Sequence, residues 1–239
     1  MSSGNARNEK DAATLGGARP ARRRLFIAVL PDDAARAELL RAQRAVLPHL
    51  AKGKPTAAAN LHLTLAFLGE LDAEGEASAL AAMHDAARKF ADGGGAPFRI
   101  WLGDLGCFGK RRGGIVWQGV AGVPDAERGG RRQLLRLQAD LAAALAAHGI
   151  ALEARAYTPH LTLARGCRVR PGEAAGDTDG LLARVSLELD AGRGTACPQA
   201  MPVEAISLMW SHHPAGGELT YTEVARVELG LAGQPDTKG

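Results

Sequence analysis

Asn60-Leu61-His62-Leu63-Thr64-Leu65-Ala66 and Pro159-His160-Leu161-Thr162-Leu163-Ala164 are the stretches on which the fold turns. Both contain His-Leu-Thr-Leu-Ala, and their histidines lie 98 positions apart. Polar and apolar residues alternate with a period of two, the pattern of a half-buried strand. His and Thr at i and i+2 then project from one face, and the leucines from the other into a core. Each phrase sets an imidazole beside a hydroxyl on a rigid element. Two such strands across a cleft would present two histidines and two threonines to one ligand.

The flanks repeat as well. Arg24 to Leu30 reads as a buried strand stopped by Pro31. Asp32 or Asp33 caps a helix over about 33–47, closed by Pro48 and a Gly53-Lys54-Pro55 turn. The first His strand, 61–68, follows and ends at Gly69. In the second half a strand at 115–120, a helix at about 130–148 and a His strand at 160–165 follow the same order. Ile27 to His62 spans 35 residues and Val116 to His160 spans 44, an internal duplication. Between the copies lie an Ala-rich helix from Leu71 to Phe90, capped by Asp72, and a strand at 98–102 that forms a hairpin with 115–120. Residues 183–189 alternate like a strand, and Val203–Trp210 with Thr220–Leu229 read as a closing antiparallel pair. Strands outnumber helices and connect through both hairpins and helices, so the expected class is α+β rather than a doubly wound parallel sheet.

Composition narrows the function. The 239 residues, 46% hydrophobic, suit one large domain or two dependent lobes. Residues 1–21 lack periodicity and are expected as a disordered tail, followed by one domain over 22–230 and a second tail at 231–239. The duplicated units are about 24–98 and 99–230. No apolar run approaches the roughly 18 residues of a membrane span, and no secretory h-region precedes the first strand. Glu9 and Asp11 speak against a transit peptide. Cys107, Cys167 and Cys197 form no CxxC pair, so neither a disulfide framework nor a zinc site is indicated and a reducing cytoplasm is the expected home. Residues 1–24 carry six Lys/Arg against two acids, a surplus of four. The whole chain is only +3, so the remainder is −1 and has no global positive field to draw in nucleic acid. Contact with a polyanion must come from a local patch.

A lone His-x-Thr on a strand is usually a structural hydrogen-bonder. Two identical phrases closing two similar strand-helix-strand units are harder to explain as packing, which asks only for volume and apolarity. The chemistry that fits is phosphoester cleavage without a metal or cofactor. One neutral imidazole takes a proton from water, and the other, as imidazolium, gives one to the leaving oxygen. The threonine hydroxyls donate to non-bridging phosphate oxygens, whose charge grows in the transition state.

From Arg24 to Leu229 the chain resembles the 2H phosphoesterases, and within them the bacterial and archaeal RNA 2',3'-cyclic phosphodiesterases, also called 2'-5' RNA ligases. The resemblance rests on Arg24-Leu25-Phe26-Ile27-Ala28, on Asn60 to Glu70, on Val116-Trp117 and on Pro159 to Arg165. It implies a bilobal fold: two antiparallel sheets face a groove, with helices outside, related by a pseudo-twofold. It implies opening of an RNA or nucleotide 2',3'-cyclic phosphate to a 2'-phosphate, with His62 activating water and His160 protonating the 3' oxygen. Near symmetry leaves the exchanged assignment open. Thr64 and Thr162 would bind the phosphate. Arg165, three residues past Thr162, falls on the opposite strand face for regular pairing and reaches the nucleotide only near the strand end. Two departures touch the substrate side: Tyr157-Thr158 stands where relatives often carry a basic or aromatic pair, and 176–200 is longer and richer in Gly and Ala.

Other histidines have plainer readings. His49 and His148 sit near helix ends, His84 on an exposed helix face, and His212-His213 in a loop. Lys110-Arg111-Arg112 reads as a solvated turn that can also grip RNA phosphates. A monomer without membrane contact is expected. Reversible 2'-5' RNA ligation runs the same chemistry backwards. A non-catalytic nucleotide-binding module is the rival of another class, disfavoured because binding alone needs neither acid nor base.

Overall fold

The computed structural model describes residues 21–109, 113–121, 129–172, 178–192 and 199–230. The expected tails, Ala21 apart, and the Lys110-Arg111-Arg112 turn lie outside these residues. The strands are β1 (Arg23–Val29), β2 (Leu50–Pro55), β3 (Leu63–Leu71), β4 (Phe98–Phe108), β5 (Gly114–Val120), β6 (His160–Val169), β7 (Ala200–Val203), β8 (Ala205–His212) and β9 (Thr220–Glu228). The helices are α1 (Asp33–Val46), α2 (Ala73–Asp92), α3 (Gly130–Ala147) and α4 (Thr178–Ala191), and a short 3-10 turn, Ala58–Asn60, precedes β3.

The strands run β7-β4-β5-β6-β3-β1-β8-β9, all antiparallel, and β2 adds to β6. One register pair, Leu63 opposite Leu161, joins the two sides. About that pair the order is symmetric: β3-β1-β8-β9 on one side answers β6-β5-β4-β7 on the other. This is the expected α+β architecture, two antiparallel halves meeting where the two His phrases meet. The outer strands β8 and β9 come from the end of the chain and complete the half that holds the first phrase.

Helix ends follow their caps. The Asp32 carboxylate accepts from Ala35 N at 2.8 Å and opens α1, and the Asp72 carboxylate accepts from Gly75 N at 3.1 Å and opens α2. The helices cross between halves. α1, of the first unit, packs on α4 and β6, while α3, of the second, packs on α2, β3 and β4. Between helices and sheet lies one large core that includes Leu25, Ile27, Leu39, Leu63, Phe90, Leu141 and Leu161, each under 2% exposed. At 20–33 cal/mol per Å² of buried apolar surface this layer is the main stabilising term.

Three expectations need correction. Residues 183–189 are not a strand but the middle of α4. The alternation of Val185, Leu187 and Leu189 suggested a strand; the helix instead buries Leu181, Leu182, Val185 and Leu189 and leaves Leu187 70% exposed. Gly53-Lys54-Pro55 is not a turn but the end of β2, whose backbone pairs with β6. A Gly and a Pro weaken strand propensity, and Pro55 is tolerated because it ends an edge strand. His212, expected in a loop, is the last residue of β8, stacked on Trp210 at 3.9 Å and bonded to Thr222.

Candidate active site

Leu63 and Leu161 point into the core, so their neighbours on either side point the other way, into the groove. Continuing the Leu63–Leu161 register sets His62 opposite Thr162 and His160 opposite Thr64. The sheet junction thus brings all four groups together, with each histidine diagonal to the other.

Both imidazoles are held alike. Nδ1 of His62 lies 2.7 Å from the carbonyl of Asn60, and Nδ1 of His160 lies 2.7 Å from that of Thr158. A carbonyl only accepts, so each Nδ1 carries the proton and each neutral ring keeps its basic lone pair on Nε2. His62 Nε2 sits 3.0 Å from Thr64 Oγ1. Among the described residues no hydrogen-bond partner reaches His160 Nε2.

The surroundings differ. His62 is 7% exposed, with Phe26 at 4.8 Å and Tyr221 edge-on at 5.2 Å between ring centres. Burial pushes its pKa down to about 4, helped by the charges of Arg165 and His160. His160 is half-buried beside Phe108, edge-on at 4.9 Å, and Trp117 at 6.1 Å. Its pKa is lowered too, first by burial and then by Arg165 and Arg155. Gly106 lets Trp117 lie this way, since a Cβ there would collide with the indole.

Arg165 reaches the groove because pairing is not regular. Trp117 pairs with Thr162 but Val116 with Ala164, so β6 carries one extra residue after the threonine. The phase shifts, and Arg165 returns to the face of His160 and Thr162. The first half does the same: Ala28 pairs with Thr64 but Ile27 with Ala66, and Phe67 returns to the face of His62. Phe67, 51% exposed, lies 6.1 Å from Phe26. Phe67 and Arg165 therefore occupy equivalent positions.

Each bulge leaves a carbonyl that a glutamine of the other unit's helix takes. Gln43 of α1 donates to Leu163 O at 2.8 Å and to Thr56 O at 2.9 Å. Gln138 of α3 donates to Leu65 O at 3.5 Å. Neither glutamine is marked by the His phrases; the signal in the sequence is a polar residue on the apolar face of each helix. Asn60 is a fastening that the motif itself does not announce. The Asn60 amide donates to Leu219 O at 2.7 Å and accepts from Tyr221 N at 3.2 Å, tying the His62 carbonyl partner to the strand that carries Tyr221. Tyr157, which stands where relatives often carry a basic or aromatic residue, is half-buried and donates to Thr64 O at 3.1 Å; burial raises its pKa, so it stays a phenol.

His148 bonds Asp85 at 2.8 Å between α3 and α2, and His84 is exposed on α2. His212 shares the face of Trp210, away from Met209 and the groove. Among the described residues no three His, Cys, Asp or Glu side chains are placed to share a metal ion. None of the described helices is long and apolar enough to cross a membrane.

The family model of the 2'-5' RNA ligase superfamily matches residues 17–213. The RNA 2',3'-cyclic phosphodiesterase of Escherichia coli (strain K12) is 34% identical over 142 residues, 59% of this chain and 71% of that protein. The crystal structure of Escherichia coli LigT complexed with 3'-AMP matches 87% of this chain and 99% of its own, at 29% identity and a TM-score of 0.60. A Thermus thermophilus protein matches 87% and 98%, at 28% identity and a TM-score of 0.60.

Proposed function

The chain belongs to the 2'-5' RNA ligase superfamily, among the 2H phosphoesterases, and from that premise we propose that it hydrolyses RNA or nucleotide 2',3'-cyclic phosphate ends to 2'-phosphates. The observation that carries this is the pair of Nδ1-anchored histidines meeting at the Leu63–Leu161 junction with unequal burial. The relatives' names and the 3'-AMP held by LigT support the substrate class.

His62 is the base. Its lowered pKa keeps Nε2 unprotonated, ready to take a proton from water as the water oxygen bonds to phosphorus. His160, less buried, is the acid. A bound phosphate anion favours its protonated form, and Nε2–H gives its proton to the 3' oxygen as the P–O3' bond breaks. The 2' ester remains. Thr64, Thr162 and Arg165 hold the non-bridging oxygens, whose charge increases in the transition state. One chain carries the full set, and 22–230 act as one catalytic unit without metal or cofactor.

Incubating the protein with a nucleoside 2',3'-cyclic phosphate in EDTA, with products read by phosphorus NMR, tests this. A 2'-phosphate is expected. A 3'-phosphate, or turnover only on adding a divalent ion, overturns it. With a 5'-hydroxyl in place of water the same groups would open the cyclic phosphate to a 2'-5' diester, P–O3' again breaking, so a 2'-5' linked product from two RNA ends is the same ring-opening with another nucleophile. A nucleotide bound without turnover would mark a binding module.

A further inference from the structure

Strand β2 carries Lys52 and Lys54, and the register with β6 sets them directly opposite Arg168 and Arg165. Like charges opposite one another in an antiparallel pair destabilise it. Among the described residues Lys52, Arg165 and Arg168 form no ion pair. Lys54 has Glu218 at 3.8 Å, with both side chains more than 70% exposed, so solvent screens the pair and it offsets little of the repulsion. Lysine on an edge strand often serves only to discourage aggregation. That accounts for Lys52 and Lys54, but not for two arginines facing them from β6, which is covered on both sides.

The four cations share the groove face. Gly53 and Cys167 mark the core face: a Cβ on Gly53 would lie 3.3 Å from Cys167 Sγ. Lys52 and Lys54 flank Gly53, and Arg168 follows Cys167, so all three turn the other way, exposed. Gly166, at φ +64°, takes the irregular position that puts Arg165 with them, since three β6 residues span two of β2 there. The row starts at Arg165, whose charge bears on both histidines, and its next rung, Lys52 with Arg168, lies about 7 Å further out.

We propose that this β2–β6 ribbon is the track for the RNA phosphates on the 5' side of the cyclic end. The inference rests on the proposed reaction, in which the reacting phosphate closes the 3' end and leaves only upstream nucleotides to be held. The ribbon binds backbone and not bases, so it selects chain length rather than sequence. Residues 25–239 together carry −1, so no global positive field does this otherwise, and a repulsive ribbon becomes favourable when a polyanion lies on it.

The test uses the full chain, the double variant Lys52→Ala/Arg168→Ala and, as a charge-matched control away from the groove, Arg88→Ala/Arg184→Ala. Steady-state kinetics compare cytidine 2',3'-cyclic phosphate with a hexaribonucleotide ending in the same group. Fluorescence anisotropy reads binding of a labelled hexaribonucleotide ending in a 2'-phosphate, which needs no turnover. The expected result is a hexamer KM raised at least tenfold relative to the mononucleotide KM in the ribbon variant only. The slope of log affinity against log salt should fall by about 0.7 for each cation removed. Equal changes for both substrates, or the same loss in the control, would overturn the track. Absence of turnover in every protein would instead strike the proposed reaction, while the anisotropy series still decides whether the ribbon binds RNA.

Discussion

The two His strands start from the same five residues and end as different tools. In both, Nδ1 is anchored on the carbonyl two residues back, the strand bulges after the threonine, and a glutamine of the other unit's helix takes a carbonyl at the bulge. Around the first, Phe26 and Tyr221 close over His62, and the residue returned to the groove is Phe67. Around the second, His160 is half open and the returned residue is Arg165. The repeated phrase supplies chemistry, and the unlike surroundings divide it into base and acid.

The sharpest way to break that division is to remove each imidazole. His62→Ala and His160→Ala should each lower kcat by about 10²- to 10⁴-fold, the worth of a general acid or base, with the fold kept by circular dichroism. The pH profile of kcat/KM separates them. The wild type should be bell-shaped, with an acidic limb near the His62 pKa of about 4 and an alkaline limb below pH 6.5 from His160. The residual activity of His62→Ala should lack the acidic limb, and that of His160→Ala the alkaline one. The reverse outcome exchanges the roles.

Stability should also tell the histidines apart. The unfolded chain protonates His62 near pH 6.5, while the folded one resists until about pH 4. The unfolded state therefore binds more protons between those values, and stability falls as pH drops from 6.5 to 4, by about 3 kcal/mol from this residue. His160 adds a contribution of the same sign. Denaturant melts from pH 7 to 4 measure the slope, and His62→Gln should flatten it more than His160→Gln. Equal flattening would mean that the two sites are equally dry.

A smaller effect is expected from the position where the halves differ. Arg165→Met should lower kcat/KM by about 10- to 100-fold, the value of a charge-assisted hydrogen bond to phosphate. It should also raise both histidine pKa values, since the arginine charge lowers both, and NMR titration of the ring protons would follow this. Phe67→Met should leave those pKa values in place. The smallest effects belong to the helix glutamines. Gln43→Leu, losing two short bonds in a buried site, should cost about 1–2 kcal/mol by thermal melt. Gln138→Leu, losing one bond of 3.5 Å, should cost less. Equal costs would make the bracing symmetric.

Most of the framework was legible because it is local. Periodicity marked β1, β3, β5 and β6, and acidic caps marked the starts of α1 and α2. Two segments misled. Residues 183–189 alternate by chance within a helix whose Leu187 faces water, and 50–55 form a strand only because β6 offers an open edge. Neither fact is written in the segment itself.

By itself the sequence determined which groups are available: two imidazoles and two hydroxyls on two strands, with the leucines between them bound for a core. A period of two requires that much wherever the strands lie. Tertiary structure alone decided the rest. One pair, Leu63 with Leu161, sets the histidines across from the threonines. The bulges bring in Phe67 and Arg165, since a residue's face depends on how its strand pairs and not on its own identity. The unequal burial of His62 and His160 comes from rings on other strands, among them Tyr221, 159 positions from His62 along the chain. Desolvation is a property of what surrounds a group, so identical phrases acquire different proton affinities only once the chain has folded around them.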